Sequence, residues 1–310
     1  MDWESQSMAY QSTHVRHLAW CLFSEPMAKI YDIANLSIKP SSDLLQWLKA
    51  QDENPSSINA YINTHNARLL GSYFECLWQY YFTHAPKCRL FQHHVQVFKQ
   101  KQTIGELDIL AEHENVPLHL ELAVKFYLLM PHKSGIKLHH WLGPQSHDRL
   151  DKKLSILAGK QFPLLYNSVT TQKLQELDIN LPYTQALALK GYLFTPLKQT
   201  EYVFHPSINP NVNTGKWLHV KQINELLEHP SRWSILEKKN WLGPYQKTES
   251  DSRDSYDNAQ VKKNIEEHFN EQAYAYALLL IKLDQQNKEV ERYMVVHEHW
   301  PEPLTLKKTN

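Results

Sequence analysis

The sequence predicts an α/β protein with a mixed-sheet core, because its hydrophobic periodicity changes from helical to strand-like and back. Between 66 and 82, large apolar side chains recur every three or four residues, as on an amphipathic helix. Three segments rich in β-forming residues follow, and the last has an apolar residue at every second position. A helical pattern and one more strand-like run complete the order α-β-β-β-α-β. In chain order, these five later segments are 90–98, 103–111, 118–128, 146–158 and 186–195.

The regions on either side of this core are predicted to be additions to it. Residues 1–65 show helical periodicity, so we expect an N-terminal helical addition before the core at 66–196. Residues 197–310 are predicted to form a C-terminal α+β addition packed on the core. It would contain a helix and a β-hairpin, because strand-like runs at 273–283 and 290–297 are joined by the turn sequence D-Q-Q-N.

Glycine is scarce, and its scarcity excludes three enzyme classes in their usual form. The chain has eight glycines, and no two of them are separated by two, three or five residues. The dinucleotide-binding turn and the Walker-type phosphate loop need such spacings, and the same scarcity removes the G-x-S-x-G turn of serine hydrolases. Lys plus Arg equals Asp plus Glu at 33 each, so any surface for nucleic acid must be a local patch.

Cysteine usage and hydropathy indicate the compartment. The three cysteines form no C-x-x-C pair, which is typical of a reducing compartment. The first residues lack a basic segment followed by an apolar one, so no signal peptide is expected. The longest apolar run, 273–281, has nine residues, whereas a membrane-spanning helix needs about 20. We therefore expect a cytoplasmic protein without a membrane partner.

Two neighbouring strands of the core carry the most informative side chains. Alternate side chains of a strand point to opposite faces, and in 118–128 one face is wholly apolar while the other carries Glu121 and Lys125. We expect that second face to be exposed. A tight turn at 114–115 would place Asp108 opposite Glu121, with Cβ atoms about 4.5–5.5 Å apart. Such carboxylates repel unless one is protonated or a cation lies between them. The expected cation is Mg²⁺, with Mn²⁺ as a substitute.

Simpler interpretations of these residues stay open. A solvated amphipathic hairpin would also carry Glu, Lys and Asp on its outer face. Glu75, on the preceding helix, adds an acid that could reach the same face, and the whole pattern favours a metal site, either active or relic. The chain also has 18 histidines, which suggest zinc. Zinc is the weaker alternative, because neither an H-E-x-x-H motif nor a cysteine pair is present.

A basic helical segment follows the acidic strand. Between 122 and 161 there are seven Lys or Arg and two Asp or Glu, a local net charge of +5 in a neutral chain. Arg149, Lys152 and Lys153 are predicted to hold the phosphates of a nucleic acid, either DNA or RNA. The alternative is a solvated helix face stabilised by an i,i+4 pair between Asp148 and Lys152.

These elements and motifs resemble known families. The order of elements and the acids on them are similar to the PD-(D/E)XK nuclease superfamily over 66–196, which implies a restriction-endonuclease-like core. More narrowly, the chain resembles a bacterial family called domain of unknown function 1853 over most of its length. The motifs that carry this resemblance are F-E-x-L, G-E-L-D-I-L, E-L-A-V-K-F-Y-L, W-L-G-P-x-x-x-D-R-L and V-R-H-L-A-W.

The superfamily resemblance implies a role for each acid and for one lysine. Asp108 would be the metal-binding aspartate, and Glu121 and Lys125 would be the acid and the lysine of the (D/E)xK element. Glu75 would be the metal-binding acid on the first core helix. Two features depart from the superfamily pattern. The proline before the aspartate is absent, and the lysine lies two residues beyond its usual place, where Ala123 stands. This moves the lysine Cα about 6–7 Å along the strand.

The resemblance implies Mg²⁺-dependent hydrolysis of phosphodiester bonds in a nucleic acid by a metal-activated water. Two alternatives stay open. The first is a nuclease fold without catalysis that binds a nucleic acid or a protein, and the second is an enzyme for another phosphorylated substrate. A homodimer formed through the C-terminal hairpin is also compatible with the sequence.

Overall fold

The protein is α/β, as predicted, and ten of its strands belong to a mixed sheet. The computed structural model describes residues 10–65, 67–180, 183–247, 255–271 and 276–302. No helix in these ranges is both long and apolar enough to cross a membrane.

The chain forms two compact units, which we call unit 1 and unit 2. Unit 1 comprises residues 1–124 and 153–190, and unit 2 comprises residues 125–152 and 191–310. Each unit therefore contains two separate stretches of chain. The division into an N-terminal addition, a core and a C-terminal addition stays a prediction.

Unit 1 contains the predicted series of one helix, three strands, one helix and one strand. The elements of this series lie at Leu70–His84, Cys88–Lys99, Gln102–His113, Val116–Leu129, Leu150–Ile156 and Thr184–Pro196, and the last three continue into unit 2. The helices of unit 1 are α1 Thr13–Phe23, α2 Ser42–Glu53, α3 Ser56–Thr64, α4 Leu70–His84, α5 Leu150–Ile156, α6 Phe162–Leu164 and α7 Ser168–Glu176, with a π-helical turn at Leu157–Gln161. The strands are β1 Ala34–Asn35, β2 Cys88–Lys99, β3 Gln102–His113, β4 Val116–Leu129 and β6 Thr184–Pro196.

The β3–β4 hairpin has the predicted turn and register. Glu114 and Asn115 form the turn, with φ values of 49° and 65°. A two-residue turn with both central φ values positive matches the twist of the flanking strands. Pairing runs from His113 opposite Val116 back to Ile109 opposite Leu120. This register follows from the turn position alone.

The expectation that the Glu121 face of β4 is exposed was wrong. His119 and Glu121 on this face are both 0% exposed. The π-helical turn and α6 cover the face, and they can approach the sheet closely because Gly105 has no side chain. A Cβ atom on Gly105 would lie 2.5 Å from Leu164 Cδ2. Both faces of β4 are therefore buried at residues 119–121.

Unit 2 contains the later parts of β4 and β6 and five further strands. The predicted C-terminal hairpin is observed as β9 and β10, although residues 273–275 of the first predicted strand lie outside the described residues. The C-terminal region also supplies β7 and β8, which were not predicted. β7 is parallel to β6 and to β10. The remaining elements are β5 Trp141–Leu142, β7 Asn213–His219, α8 Ile223–Leu226, β8 Arg232–Leu236, α9 Asn258–Glu271, β9 Leu278–Leu283 and β10 Glu289–Val296.

The substitution Gly215→Ala is expected to destabilise unit 2. Gly215 is paired with Phe194, and a Cβ atom there would lie 2.6 Å from Phe194 Cε1 and 2.8 Å from the backbone oxygen of Arg292. Overpacking of this kind costs about 1–3 kcal/mol. Urea unfolding should show a lower midpoint. The control Gly71→Ala lies in α4 with nothing within 4 Å of the added atom, so its midpoint should stay the same or rise. Equal midpoints for the two variants would show that Gly215 is not constrained by space.

Candidate active site

The candidate site is a group of carboxylates in unit 1, carried by α4, β3 and β4. Asp108 lies on β3 one residue before Ile109, where the pairing of β3 with β4 ends, so the predicted Asp108–Glu121 pair lies one step beyond the observed pairs. The Asp108 side chain instead accepts a hydrogen bond from the β4 backbone. Its Oδ2 accepts from the backbone N–H of Leu122 at 2.8 Å. The other oxygen, Oδ1, has no hydrogen-bond donor among the described residues. Asp108 is thus held through Oδ2, and its Oδ1 can still accept a hydrogen bond or bind a cation.

Glu121 is held from two sides by side-chain donors. Its Oε1 lies 3.0 Å from His119 Nε2, and its Oε2 accepts from Gln161 Nε2 at 2.5 Å. The Gln185 amide nitrogen lies 3.1 Å from His119 Nδ1 and also donates to the backbone oxygen of Phe162. His119 Nδ1 therefore accepts, which assigns the ring proton to Nε2 and directs it to Glu121.

A lysine reaches the same group from the helix after β4. Lys153 Nζ donates to Gln161 Oε1 at 3.2 Å, so Lys153, Gln161 and Glu121 form one hydrogen-bonded chain. A regular α-helix aligns side chains after about 7.2 residues in two turns, whereas these residues are eight apart. The π-helical turn between them adds about one residue to a turn. This insertion places both side chains on one face.

Glu75 and Glu106 lie on either side of His94. His94 Nδ1 is 2.8 Å from Glu106 Oε1, and its Nε2 is 3.6 Å from Glu75 Oε2 and 3.1 Å from Gln79 Nε2. His94 adopts a positive φ of 51° within β2, which costs free energy in a residue with a side chain. The ring is thereby placed between the two acids.

Burial and mutual repulsion raise the pKa values of the three main acids. The pKa of Asp108 rises to about 7, chiefly through burial and then through the charge of Glu121. Burial also raises the pKa of Glu121 to about 7, although Lys153 opposes this. The pKa of Glu75 is raised by burial and then by Asp108. For His119, burial lowers the pKa to about 4, in agreement with a neutral ring.

The other predicted residues have different environments. Lys125 belongs to unit 2, where its Nζ donates to Asp148 Oδ2 at 2.6 Å. Asp148 therefore pairs with Lys125 and not with Lys152, which is exposed. Arg149 donates two hydrogen bonds to Asp151, at 2.6 and 2.8 Å. Binding of phosphates by Arg149 and Lys152, and a catalytic role for Lys125, stay predictions.

Three members of the group, His119, Gln161 and His94, were not predicted from the sequence, and Lys153 was predicted only as a phosphate contact. His119 lies two residues before Glu121, and parity places both on one face, so this signal was present in the sequence. Gln161 gave no signal, because its position depends on the π-helical turn. His94 was considered only among the histidines that suggest zinc, because its position between the two acids depends on a positive φ in a strand.

The donor chemistry of the group fits a hard divalent cation. Mg²⁺ binds to one or two carboxylates and keeps several waters. Asp108 and Glu121 supply such oxygens, and each is oriented by a hydrogen bond from behind, as metal-binding carboxylates usually are. Within the described residues, no three His, Cys, Asp or Glu side chains converge as a ligand set. The fit is therefore to a two-carboxylate site, with Glu75 as a nearby acid.

The metal-free protein is expected to lose stability as the pH rises towards 7. The folded-state pKa values of Asp108 and Glu121 lie above their ordinary values near 4, so the folded state binds more protons than the unfolded state between about pH 4 and 7. The free energy of unfolding then falls with rising pH. The lowered pKa of His119 acts in the opposite direction below about pH 6.5, so the fall should be clearest just above that pH.

Thermal unfolding in a chelator, measured from pH 5 to 8, tests this expectation. Glu121→Gln removes one titrating group and should flatten the profile relative to the wild type. The control Glu53→Gln changes an exposed acid of the same unit and should leave the slope unchanged. A Glu121→Gln profile parallel to that of the wild type would show that the buried carboxyl does not titrate in this range.

Comparison with known proteins identifies the family of the chain. No curated protein and no solved structure gives a significant match. The sequence profile of the family described as domain of unknown function (DUF1853) matches residues 16–296, which is most of the chain. The family named on the basis of sequence motifs is thereby confirmed, and the chain belongs to the DUF1853 family.

Proposed function

We propose that this protein is a metal-dependent phosphodiester hydrolase of the PD-(D/E)XK type that acts on nucleic acid. The observation that carries the proposal is the cluster of Asp108, Glu121 and Lys153 in unit 1, with Glu75 beside it. Two adjacent carboxylates of raised pKa and a nearby ammonium group are the parts that this chemistry needs. Each part lies on a helix or a strand, which favours a fixed geometry.

The arrangement of secondary structure supports a restriction-endonuclease-like core. The helix α4 precedes an antiparallel series of three strands, β2, β3 and β4, and a helix and a further strand follow. The superfamily resemblance gives metal-binding roles to Asp108 and Glu121. These two residues lie on β3 and β4, the second and third strands of this series.

Each side chain has a distinct task in this proposal. Asp108 Oδ1 and Glu121 would hold Mg²⁺, which supplies Lewis acidity towards the phosphodiester and a water molecule. His119 and Gln161 keep the Glu121 carboxylate in one orientation. Gln185 keeps the ring proton of His119 on Nε2. The Lys153 ammonium group would offset the negative charge that develops on the phosphate.

We assign the lysine role to Lys153 and not to Lys125. Lys153 acts electrostatically on Glu75, Asp108 and Glu121 and lowers the pKa of each. Lys125 is instead engaged with Asp148 at 2.6 Å. In this proposal Lys153, on the helix after β4, takes the role that the E-x-K motif gives to a lysine on the strand. Arg149 and Lys152 remain proposed phosphate contacts. A dimer and a cytoplasmic location remain expectations.

Complete burial of Glu121 favours a second candidate function, a nuclease fold retained for binding without catalysis. Calorimetry with Mn²⁺ separates the two functions. The hydrolase should bind Mn²⁺, and Asp108→Asn should abolish the binding. A binding module should give no heat that depends on Asp108.

Nuclease assays on short DNA and RNA duplexes and single strands test the proposed function. The wild type should cleave at least one substrate with Mg²⁺ or Mn²⁺ and should be inactive in a chelator. Asp108→Asn and Glu121→Gln should each lower the rate by about 100-fold or more, because each removes a metal ligand. Cleavage of equal rate in these variants would contradict the proposal and would indicate a contaminant.

Three lysine variants test which ammonium group serves the reaction. Lys153→Met should lower the cleavage rate by about 100-fold, which is typical of the loss of one transition-state contact. Lys125→Met and the control Lys49→Met should change it by less than about threefold, because Lys125 is held by Asp148 and Lys49 is an exposed lysine of α2. A large loss of cleavage rate in Lys125→Met, with an unchanged melting temperature, would show that Lys125 and not Lys153 has the catalytic lysine role.

A further inference from the structure

Unit 2 contains a large open cavity that the proposed hydrolase site does not use. Its volume is about 960 Å³, and its walls come from the segments that follow β4, β6 and β7. β6 and β7 are parallel, from Tyr192 opposite Asn213 to Pro196 opposite Trp217. Their carboxyl ends therefore meet at one edge of the sheet. In open α/β sheets, ligands bind in crevices at this edge.

The cavity has a net positive charge. Three lysines line it, Lys133, Lys198 and Lys221, each from a different segment. The acid in its wall is Glu225, which pairs with Lys198 at 3.1 Å. Among the described residues, Lys133 and Lys221 have no acidic partner within 4.0 Å. Two ammonium groups are thus left for an anion.

The loops that carry two of these lysines are tied together by hydrogen bonds. Gln199, next to Lys198, donates through its side-chain nitrogen to the backbone oxygen of Lys133 at 2.9 Å. The backbone N–H of Val203 donates to the backbone oxygen of Ser134 at 2.7 Å. These bonds fix the two loops before a ligand arrives, which lowers the entropic cost of binding.

We infer that this cavity binds a phosphate-bearing ligand of about the size of a nucleotide. The two ammonium groups without an acidic partner, Lys133 and Lys221, suit the oxygens of a terminal phosphate. Pro131, Pro196 and Trp217 add apolar wall, and the volume lies in the range of small-molecule sites. The ligand is either a free nucleotide or the phosphorylated end of a strand. All the residues involved belong to unit 2, so the inference does not depend on the hydrolase site.

Calorimetry on the full chain, in a chelator to prevent hydrolysis, tests this inference. The probes are adenosine monophosphate, adenosine, inorganic phosphate, and a tetranucleotide with and without a 5′-phosphate. Adenosine monophosphate or the phosphorylated tetranucleotide should bind, and its counterpart without phosphate should bind at least tenfold more weakly. Tighter binding of the monophosphate would identify a free nucleotide, and tighter binding of the tetranucleotide would identify a strand end. Absence of binding by every phosphate probe would overturn the inference.

Matched variants connect the binding to the cavity. The double variant Lys133→Gln and Lys221→Gln removes both ammonium groups without an acidic partner and should weaken phosphate-dependent binding by about tenfold or more. The control Lys262→Gln and Lys263→Gln removes the same charge from α9, where both lysines pair with acids of their own helix. Equal weakening in the two double variants would show a general charge effect, and the cavity would not be the site.

Discussion

A carboxylate without solvent contact is the constraint on which the rest of unit 1 depends. Glu121 lies in the sheet at 0% exposure, and a buried charge without partners is strongly destabilising. The surrounding structure supplies these partners. His119 donates from the same strand, Gln161 donates from the π-helical turn, and Lys153 adds positive charge behind Gln161. Because both helical contributors lie after β4, the fold of that segment and the state of Glu121 are coupled.

Close approach of the helical segment to the sheet has its own requirement. Gly105 leaves room for Leu164, and Gly105 directly precedes the acidic positions of β3. The glycine of the G-E-L-D motif is therefore explained by packing. It does not need to contact a phosphate, unlike the glycines of nucleotide-binding loops. The G-E-L-D motif thus contains a glycine needed for packing, Gly105, and a candidate metal ligand, Asp108, three residues later.

The sequence predicts those parts of the fold that depend on local periodicity. The β3–β4 register follows from the turn at Glu114 and Asn115, because alternation leaves little freedom once the turn is set. The burial of Glu121 was not predicted. The alternation of a strand shows which face a residue lies on, but it does not show whether another element covers that face. The link from Lys153 to Gln161 was missed as well. It depends on a π-helical turn, a deviation from the regular period that sequence patterns assume. β7 has seven residues and β8 has five, and both pair with strands that are not adjacent in the sequence, so local periodicity did not identify them.

The interleaved chain path of the two units affects synthesis on the ribosome. Unit 1 takes its last residues from 153–190, after the chain has already made residues 125–152 of unit 2. The first stretch of unit 2 makes contacts with residues as late as Trp300, whose indole N–H donates to the backbone oxygen of Gly143. Domains usually fold in order as they emerge, but here neither unit is complete when the first half of the chain is made. The hairpin of β3 and β4 is local and can form early, whereas β8 has no partner strand until β9, at Leu278–Leu283, has been made.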